Sequence, residues 1–175
     1  MAFRFEFFVN SSFRRNGHGN VVAAAAACMM APDRRSFYSR SHILEIDDRR
    51  ATSMRAQLQA VILALDWALD TCDRLNGNPR VDITIYSDSE YAIRCMGGRA
   101  DSGIRSRMRN ALGMPRRNAD LIEEASHLAN IARDMGRVTF VHIPREVNTY
   151  ADSICNETLD EFIEEFDYGS NWHSE

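Results

Sequence analysis

Residues 7–30 read "FFVNSSFRRNGHGNVVAAAAACMM", and the fold turns on how the second half of that stretch is read. Ala-rich runs usually mean helix, since Ala has the highest intrinsic helix propensity. Here Gly17 and Gly19 mark a turn before the run, and "APDRR" breaks the chain after it. The run is therefore expected as the return strand of a hairpin. The first arm begins earlier, at "FRFEFFVN", where alternation puts Phe3, Phe5 and Phe7 on one side. Its first uncharged polar residue is Asn10, expected at the mouth of the strand. A carboxylate there would suggest a metal-dependent enzyme, so the amide raises a question that three distant stretches answer.

Working outward, "SFYSRSHILEI" is a third strand, which makes a meander. "TSMRAQLQAVILALDWALDTCDRL" carries Leu58, Val61, Ile62, Leu65 and Leu69 at helical spacing, with Thr52 able to cap it and Asn76-Gly77 ending it. "RVDITIYSD" is a short apolar strand ending in acids and hydroxyls, and "SEYAIRCM" reads as a short helix. "NADLIEEASHLANIARDMG" is an amphipathic helix closed by Gly136, "RVTFVHI" is the last strand, and "NTYADSICNETLDEFIEEF" forms a final helix. The order predicts an α/β fold with a mixed five-stranded sheet, a three-strand antiparallel meander followed by two strands joined through helices, flanked by helices.

The length of 175 residues and the 45% hydrophobic content suit one domain. Residues 1–175 are read as that domain, with a core over about 3–160 and an acidic tail over about 157–175. No apolar run approaches the ~20 residues of a membrane span, so no membrane partner is expected. Arg4 and Glu6 interrupt the apolar N-terminal stretch, so it does not read as a secretory signal. Cys28, Cys72, Cys95 and Cys155 are widely spaced, without a CxxC pair, and read as reduced, mostly buried thiols. An intracellular setting, cytoplasmic or nuclear, is expected.

The formal net charge of −4 is unevenly spread. Glu157, Asp160, Glu161, Glu164, Glu165, Asp167 and Glu175 crowd the C-terminal end, and without them the basic residues outnumber the acids. Every basic residue is Arg. Arg94, Arg99, Arg105, Arg107, Arg109, Arg116 and Arg117 lie in "RCMGGRADSGIRSRMRNALGMPRR", residues 94–117, against the single acid Asp101. Interrupted by Gly97-Gly98, Gly103 and Gly113, the stretch reads as a protruding segment. It is either a solvated surface or a phosphate-binding protrusion, since Arg on phosphate supplies sequence-independent affinity.

Four motifs, in order and on the expected elements, resemble the ribonuclease H-like superfamily, specifically the type-1 ribonuclease H domain, over roughly residues 3–160. In that family the first strand ends in Asp before a Gly/Ser turn and an Asn-rich Gly loop. Here Asn10 takes the Asp position, and Asn16-Gly17 resembles the loop. The family's first helix opens on a Thr/Asn/Arg stretch and a Glu-Leu pair; "TSMRAQL" puts Gln57 at the Glu position. Asp88 and Ser89 in "YSDSEY" match the Thr-Asp-Ser strand end, and Asn148 and Asp152 in "NTYADSIC" match the last helix.

The resemblance implies a four-carboxylate site holding two Mg²⁺ ions, at the positions of Asn10, Gln57, Asp88 and Asp152. Two are amides here, so size and shape are kept while two charges are lost, and Asn10 lies where the family's bridging ligand would be. Asp88 and Asp152 remain as metal ligands for Mg²⁺ or Mn²⁺, held weakly or as a single ion, or no metal is bound. Ser11, where the family usually has Gly, and Met54, where it often has Asn, depart as well, which favours natural divergence over deliberate substitution of the two amides.

The expected function is a nucleic-acid-binding ribonuclease H-like protein, for RNA/DNA hybrid or duplex RNA, a pseudoenzyme whose hydrolysis is lost or strongly reduced. The alternatives are an active metal-dependent hybrid ribonuclease and a protein-interaction module on the same fold. Ser12, Asn16, Arg55, Ser89, Asn148 and the arginines 99, 105, 107, 109, 116 and 117 are the expected nucleic-acid contacts. His142 resembles a loop histidine that assists product release in some members, but a strand-end histidine with a structural hydrogen bond is the preferred reading. The short loop before Asn148 resembles a shortened branch carrying Arg145 and Glu146. Asp47, Asp48 and His18 are read as solvated. The acidic C-terminal helix, with Leu159, Phe162, Ile163 and Phe166 at helical spacing, either docks on the core or meets a protein partner.

Overall fold

The computed structural model describes residues 2–15, 21–46, 53–97 and 118–170. Strands β1 (Phe3–Arg15), β2 (Val21–Met30) and β3 (Phe37–Ile46) precede helix α1 (Ser53–Asp73). Then come β4 (Val81–Ser87), α2 (Glu90–Met96), α3 (Ala119–Met135), β5 (Gly136–His142), a 3₁₀ turn at Arg145–Val147 and α4 (Thr149–Ser170). The sheet order is β3-β2-β1-β4-β5. The first three strands pair antiparallel, and β1–β4 and β4–β5 pair parallel, as the mixed-sheet expectation requires.

The alanine run is a strand because both of its faces are covered. Ala23 to Ala27 are all 0% exposed. Ala25 and Ala27 join the core beneath α1 with Phe7, Val9, Leu58, Ile62 and Leu65. Ala24 and Ala26 join a second core with Cys155 and Leu159 of α4. Ladder bonds to β1 and β3 and two closely packed helices outweigh local propensity. A small side chain lets both helices approach.

β1 runs further than its sequence suggests. Its parallel pairing with β4 stops at Val9↔Ser87, while its antiparallel pairing with β2 continues to Arg15↔Val21. Asn10 is therefore not at the end of the strand, but at the point where one of its two neighbours stops. Of the three phenylalanines, Phe7 is buried, Phe5 half-buried and Phe3 exposed.

Gly136 closes α3 and opens β5 without a connecting loop. A Cβ on Gly136 would lie 1.8 Å from the Val81 carbonyl oxygen, so only glycine lets the two strands meet here. On α4, Leu159 is buried and Ile154 and Phe162 pack against the second core. That apolar face is spent on the sheet, which leaves the acidic outer face for any partner. Cys28, Cys72 and Cys155 are buried, Cys95 is half-buried, and all are free thiols. Burial pushes the Cys28 and Cys155 thiols up to about 12. Among the described residues no helix is long and apolar enough to cross a membrane.

Candidate functional site

The end of the β1–β4 ladder carries Asn10 and Asp88 side by side, one residue beyond the Val9↔Ser87 pair. The second turn of α1 brings Gln57 to Asn10, and the first turn of α4 brings Asp152 to it. Gln57 Nε2 donates to Asn10 Oδ1 at 3.2 Å, and Asn10 Nδ2 donates to Asp152 Oδ1 at 3.4 Å. The backbone N–H of Ser11 also donates to Asn10 Oδ1, at 2.8 Å. Asn10 is only 3% exposed, while Asp88, Asp152 and Gln57 are half-buried. All four line one cavity of about 490 Å³, together with Ser11, Ser12, Phe13, Ser53, Met54, Ser89 and Arg145.

Asn148 is 1% exposed and serves the architecture. Its Nδ2 donates to the Val9 carbonyl at 2.9 Å and to Asp88 Oδ1 at 3.3 Å. It joins the end of β1 to the end of β4 and offers no surface for a ligand. Ser89 caps α2, its hydroxyl accepting from the Ala92 N–H at 3.2 Å. Ser12 Oγ donates to Asn156 Oδ1 at 3.2 Å.

Arg55 turns away from the cavity to α3. It grips Asp120 through both guanidinium nitrogens, at 2.9 and 2.7 Å. That pairing holds the Asp120 carboxyl below its ordinary range and raises the Arg55 guanidinium. A residue expected on nucleic acid is thus committed to a helix contact. His142 stands outside the cavity, exposed, with Nε2 3.3 Å from the Asp88 carbonyl oxygen. This is the structural hydrogen bond preferred for it. Asn16, Arg99, Arg105, Arg107, Arg109, Arg116 and Arg117 lie outside the described residues, as do His18, Asp47 and Asp48.

Two residues escape the sequence motifs, Arg145 lining the cavity and Asn156 behind Asp152. Arg145 brings a cation to the rim, where the short loop was noted but not assigned. Asn156, one turn after Asp152, donates from Nδ2 to Asp152 Oδ2 at 3.3 Å. The i, i+4 spacing on one helix face was the available signal. Phe13 and Met54, 57% and 44% exposed, add an apolar lip.

This arrangement of sheet and helices has counterparts among known proteins. No family model matches the chain. A ribonuclease H of Schizosaccharomyces pombe (strain 972 / ATCC 24843) is 29% identical over 121 residues, which cover 69% of this chain and 40% of that protein. The chain thus spans well under half the length of that curated relative. The ribonuclease H1 of the halophilic archaeon Halobacterium salinarum NRC-1 superposes with a TM-score of 0.60 at 21% identity, over 90% of this chain and 98% of the other. LC11 ribonuclease H1, solved in complex with an RNA/DNA hybrid, gives 0.66 at 20% identity, over 91% and 99% of the two chains. The fold is ribonuclease H-like.

Ribonuclease H enzymes generally depend on divalent metal, so the donor set must be tested against it. Among the described residues no group of three or more His, Cys, Asp or Glu side chains could hold an ion. Asp88 and Asp152 are the only carboxylates among the described residues that line the cavity. Three of their four oxygens already accept amide N–H groups, from Asn148, Asn10 and Asn156. An ion on Asp152 would face two donor nitrogens in place of ligands. Among the described residues, this donor set does not fit a resident pair of Mg²⁺ ions.

Proposed function

We propose that this ribonuclease H-like domain binds nucleic acid, an RNA/DNA hybrid or duplex RNA, and that its hydrolytic activity is lost or strongly reduced. The observation that carries the proposal is the convergence of Asn10, Gln57, Asp88 and Asp152 on one cleft with amides at two of the four positions. The cleft brings the four positions together on a ribonuclease H-like fold, while its donor set does not fit the ion pair on which two-ion hydrolysis depends. Each ~1.4 kcal/mol of lost transition-state stabilisation costs about tenfold in rate. Two missing ligand charges that act as a unit remove orders of magnitude. Any Mg²⁺ or Mn²⁺ reaching the cleft would be a single ion, held weakly by Asp88 and Asp152 after displacing their amide donors.

Binding is supported by Arg145 and the Ser89 hydroxyl, which line the cleft, and by the arginine-rich stretch 94–117. Phosphate contacts from such groups position a duplex without reading its sequence. A reducing, intracellular setting belongs to the same proposal, supported by the free thiols. The test is cleavage and binding of a labelled hybrid in Mg²⁺ and in Mn²⁺, comparing this chain with the Asn10→Asp/Gln57→Glu double variant. The parent should bind and not cut, and the double variant should recover partial cleavage. A parent that cuts at the double variant's rate overturns the loss of hydrolysis.

A further inference from the structure

We infer that a directed hydrogen-bond relay holds this cleft together in place of a cation, so that neither the folded cleft nor nucleic-acid binding by it needs divalent metal. The nucleic-acid half rests on the function proposed above; the relay itself does not. It has two arms that meet on Asp152. In the first, Gln57 of α1 donates to Asn10 of β1, and Asn10 donates to Asp152 Oδ1 on α4. In the second, Arg14 Nη2 of β1 donates to Asn156 Oδ1 at 3.2 Å, and Asn156 donates to Asp152 Oδ2.

The direction of both arms is fixed by chemistry, not by a choice of amide rotamer. The backbone N–H of Ser11 can only donate, so the atom of Asn10 that faces it at 2.8 Å must be the oxygen. A guanidinium can only donate, so the Asn156 atom that faces Arg14 must also be the oxygen. The NH₂ groups of both amides are then left pointing at Asp152. Every bond runs from donor to acceptor toward one carboxylate, and both of its oxygens receive partial positive charge. Arg14, at the outer end, pairs in turn with Asp160.

The relay thus ties α1, β1 and α4 together, as a bridging ion between them would. It also competes with that ion, because each Asp152 oxygen already accepts an amide N–H that a metal would have to displace. The loose end is Gln57 Oε1, buried and without a hydrogen-bond partner among the described residues. Asn156 is the positioning residue of the second arm, acting on Asp152 and through it on Asn10.

The test reads melting and hybrid affinity in EDTA and in low-millimolar Mg²⁺. For the parent, melting should move by no more than about 1 °C between the two, since an ion that binds neither state shifts nothing. Hybrid affinity at matched ionic strength should change less than about threefold, which is within ~0.7 kcal/mol. Asn10→Asp breaks the first arm, since a carboxylate there cannot donate to Asp152, and sets two carboxylates against each other. That variant should melt below the parent in EDTA and regain several degrees in Mg²⁺. Asn156→Ala frees Asp152 Oδ2 and should give a smaller but measurable Mg²⁺ response, and Asn10→Asp stands alone if Asn156→Ala fails to fold. A parent that gains several degrees in Mg²⁺, or loses its hybrid in EDTA, overturns the relay, as does an Asn10→Asp variant indifferent to Mg²⁺. A parent that binds no hybrid under either condition refutes the proposed function, while the melting comparison still decides the relay.

Discussion

Asn148 shows how much of this site is architecture. Its buried amide satisfies the Val9 carbonyl at the point where β4 no longer covers β1, and also restrains Asp88. Asn148→Ala should cost about 1–3 kcal/mol, the penalty for leaving a buried acceptor unpaired, measured by urea denaturation. A loss below a few tenths would mean that water serves the carbonyl as well. A pH dependence belongs to Asp120, whose carboxyl is held low chiefly by its hydrogen bonds from Arg55. A depressed folded pKa contributes stability above the unfolded value, about 3.9 for Asp, and loses it as pH falls toward the folded value. Asp120→Asn should therefore cost up to about 1 kcal/mol at neutral pH, as partly exposed pairs do. The difference from the parent should vanish in melts taken well below pH 4. At this scale the sequence reveals Asn10, Gln57, Asp88 and Asp152 because each belongs to a motif: Asn10 follows the apolar half of β1, Gln57 and Asp152 lie within two turns of a helix start, and Asp88 follows β4. Asn156 and Arg145 carry no such marker. Their roles depend on how α4 and the 3₁₀ turn are placed against β1, which no local pattern specifies.

Among the elements, the junction of α3 and β5 has least freedom. Gly136 pairs with Val81 in register while its α-carbon lies against the Val81 backbone. Gly136→Ala must push the start of β5 away from β4, and overpacking of this kind costs typically 1–3 kcal/mol. Because the obstacle is backbone and not a yielding side chain, about 3 kcal/mol is expected. The lower denaturation midpoint should come with an unchanged denaturant slope. The helix-closing role of Gly136 is legible from its place after "ARDM", but the strand contact is not, since it depends on long-range register. β1 teaches the same lesson. Its apolar half is plain in the sequence, yet "SSFRR" reads as loop because its pairing comes from β2 alone. Ser12 and Arg14 are held from outside by Asn156 and Asp160 of α4. The alanine strand is legible only through the breaks that bound it, since its own composition argues for helix.

The whole molecule divides its charge: acids crowd the last helix, and the arginine-rich stretch lies between α2 and α3. With a formal net charge of −4, the protein as a whole repels a polyanion, so nucleic-acid binding has to come from local basic surface. Such binding releases counterions, and log affinity falls with log salt by about 0.9 for each duplex phosphate neutralised. If Arg105, Arg107 and Arg109 all contact phosphate, replacing the three with Ala should flatten that slope by up to about 2.7. Affinity at low salt should fall with it, while the melting temperature stays near that of the parent. Arg145→Ala should remove about one phosphate contact's worth of slope, since Arg145 lines the cleft and is exposed. Titrating one hybrid across salt concentrations with parent, triple variant and Arg145→Ala separates the two surfaces. Flattening confined to Arg145→Ala would place the duplex at the cleft alone, and flattening confined to the triple variant would place it on the arginine-rich stretch. A parent without affinity even at low salt would leave the fold as a protein-interaction module, whose partner would then have to be complementary to the acidic face of α4.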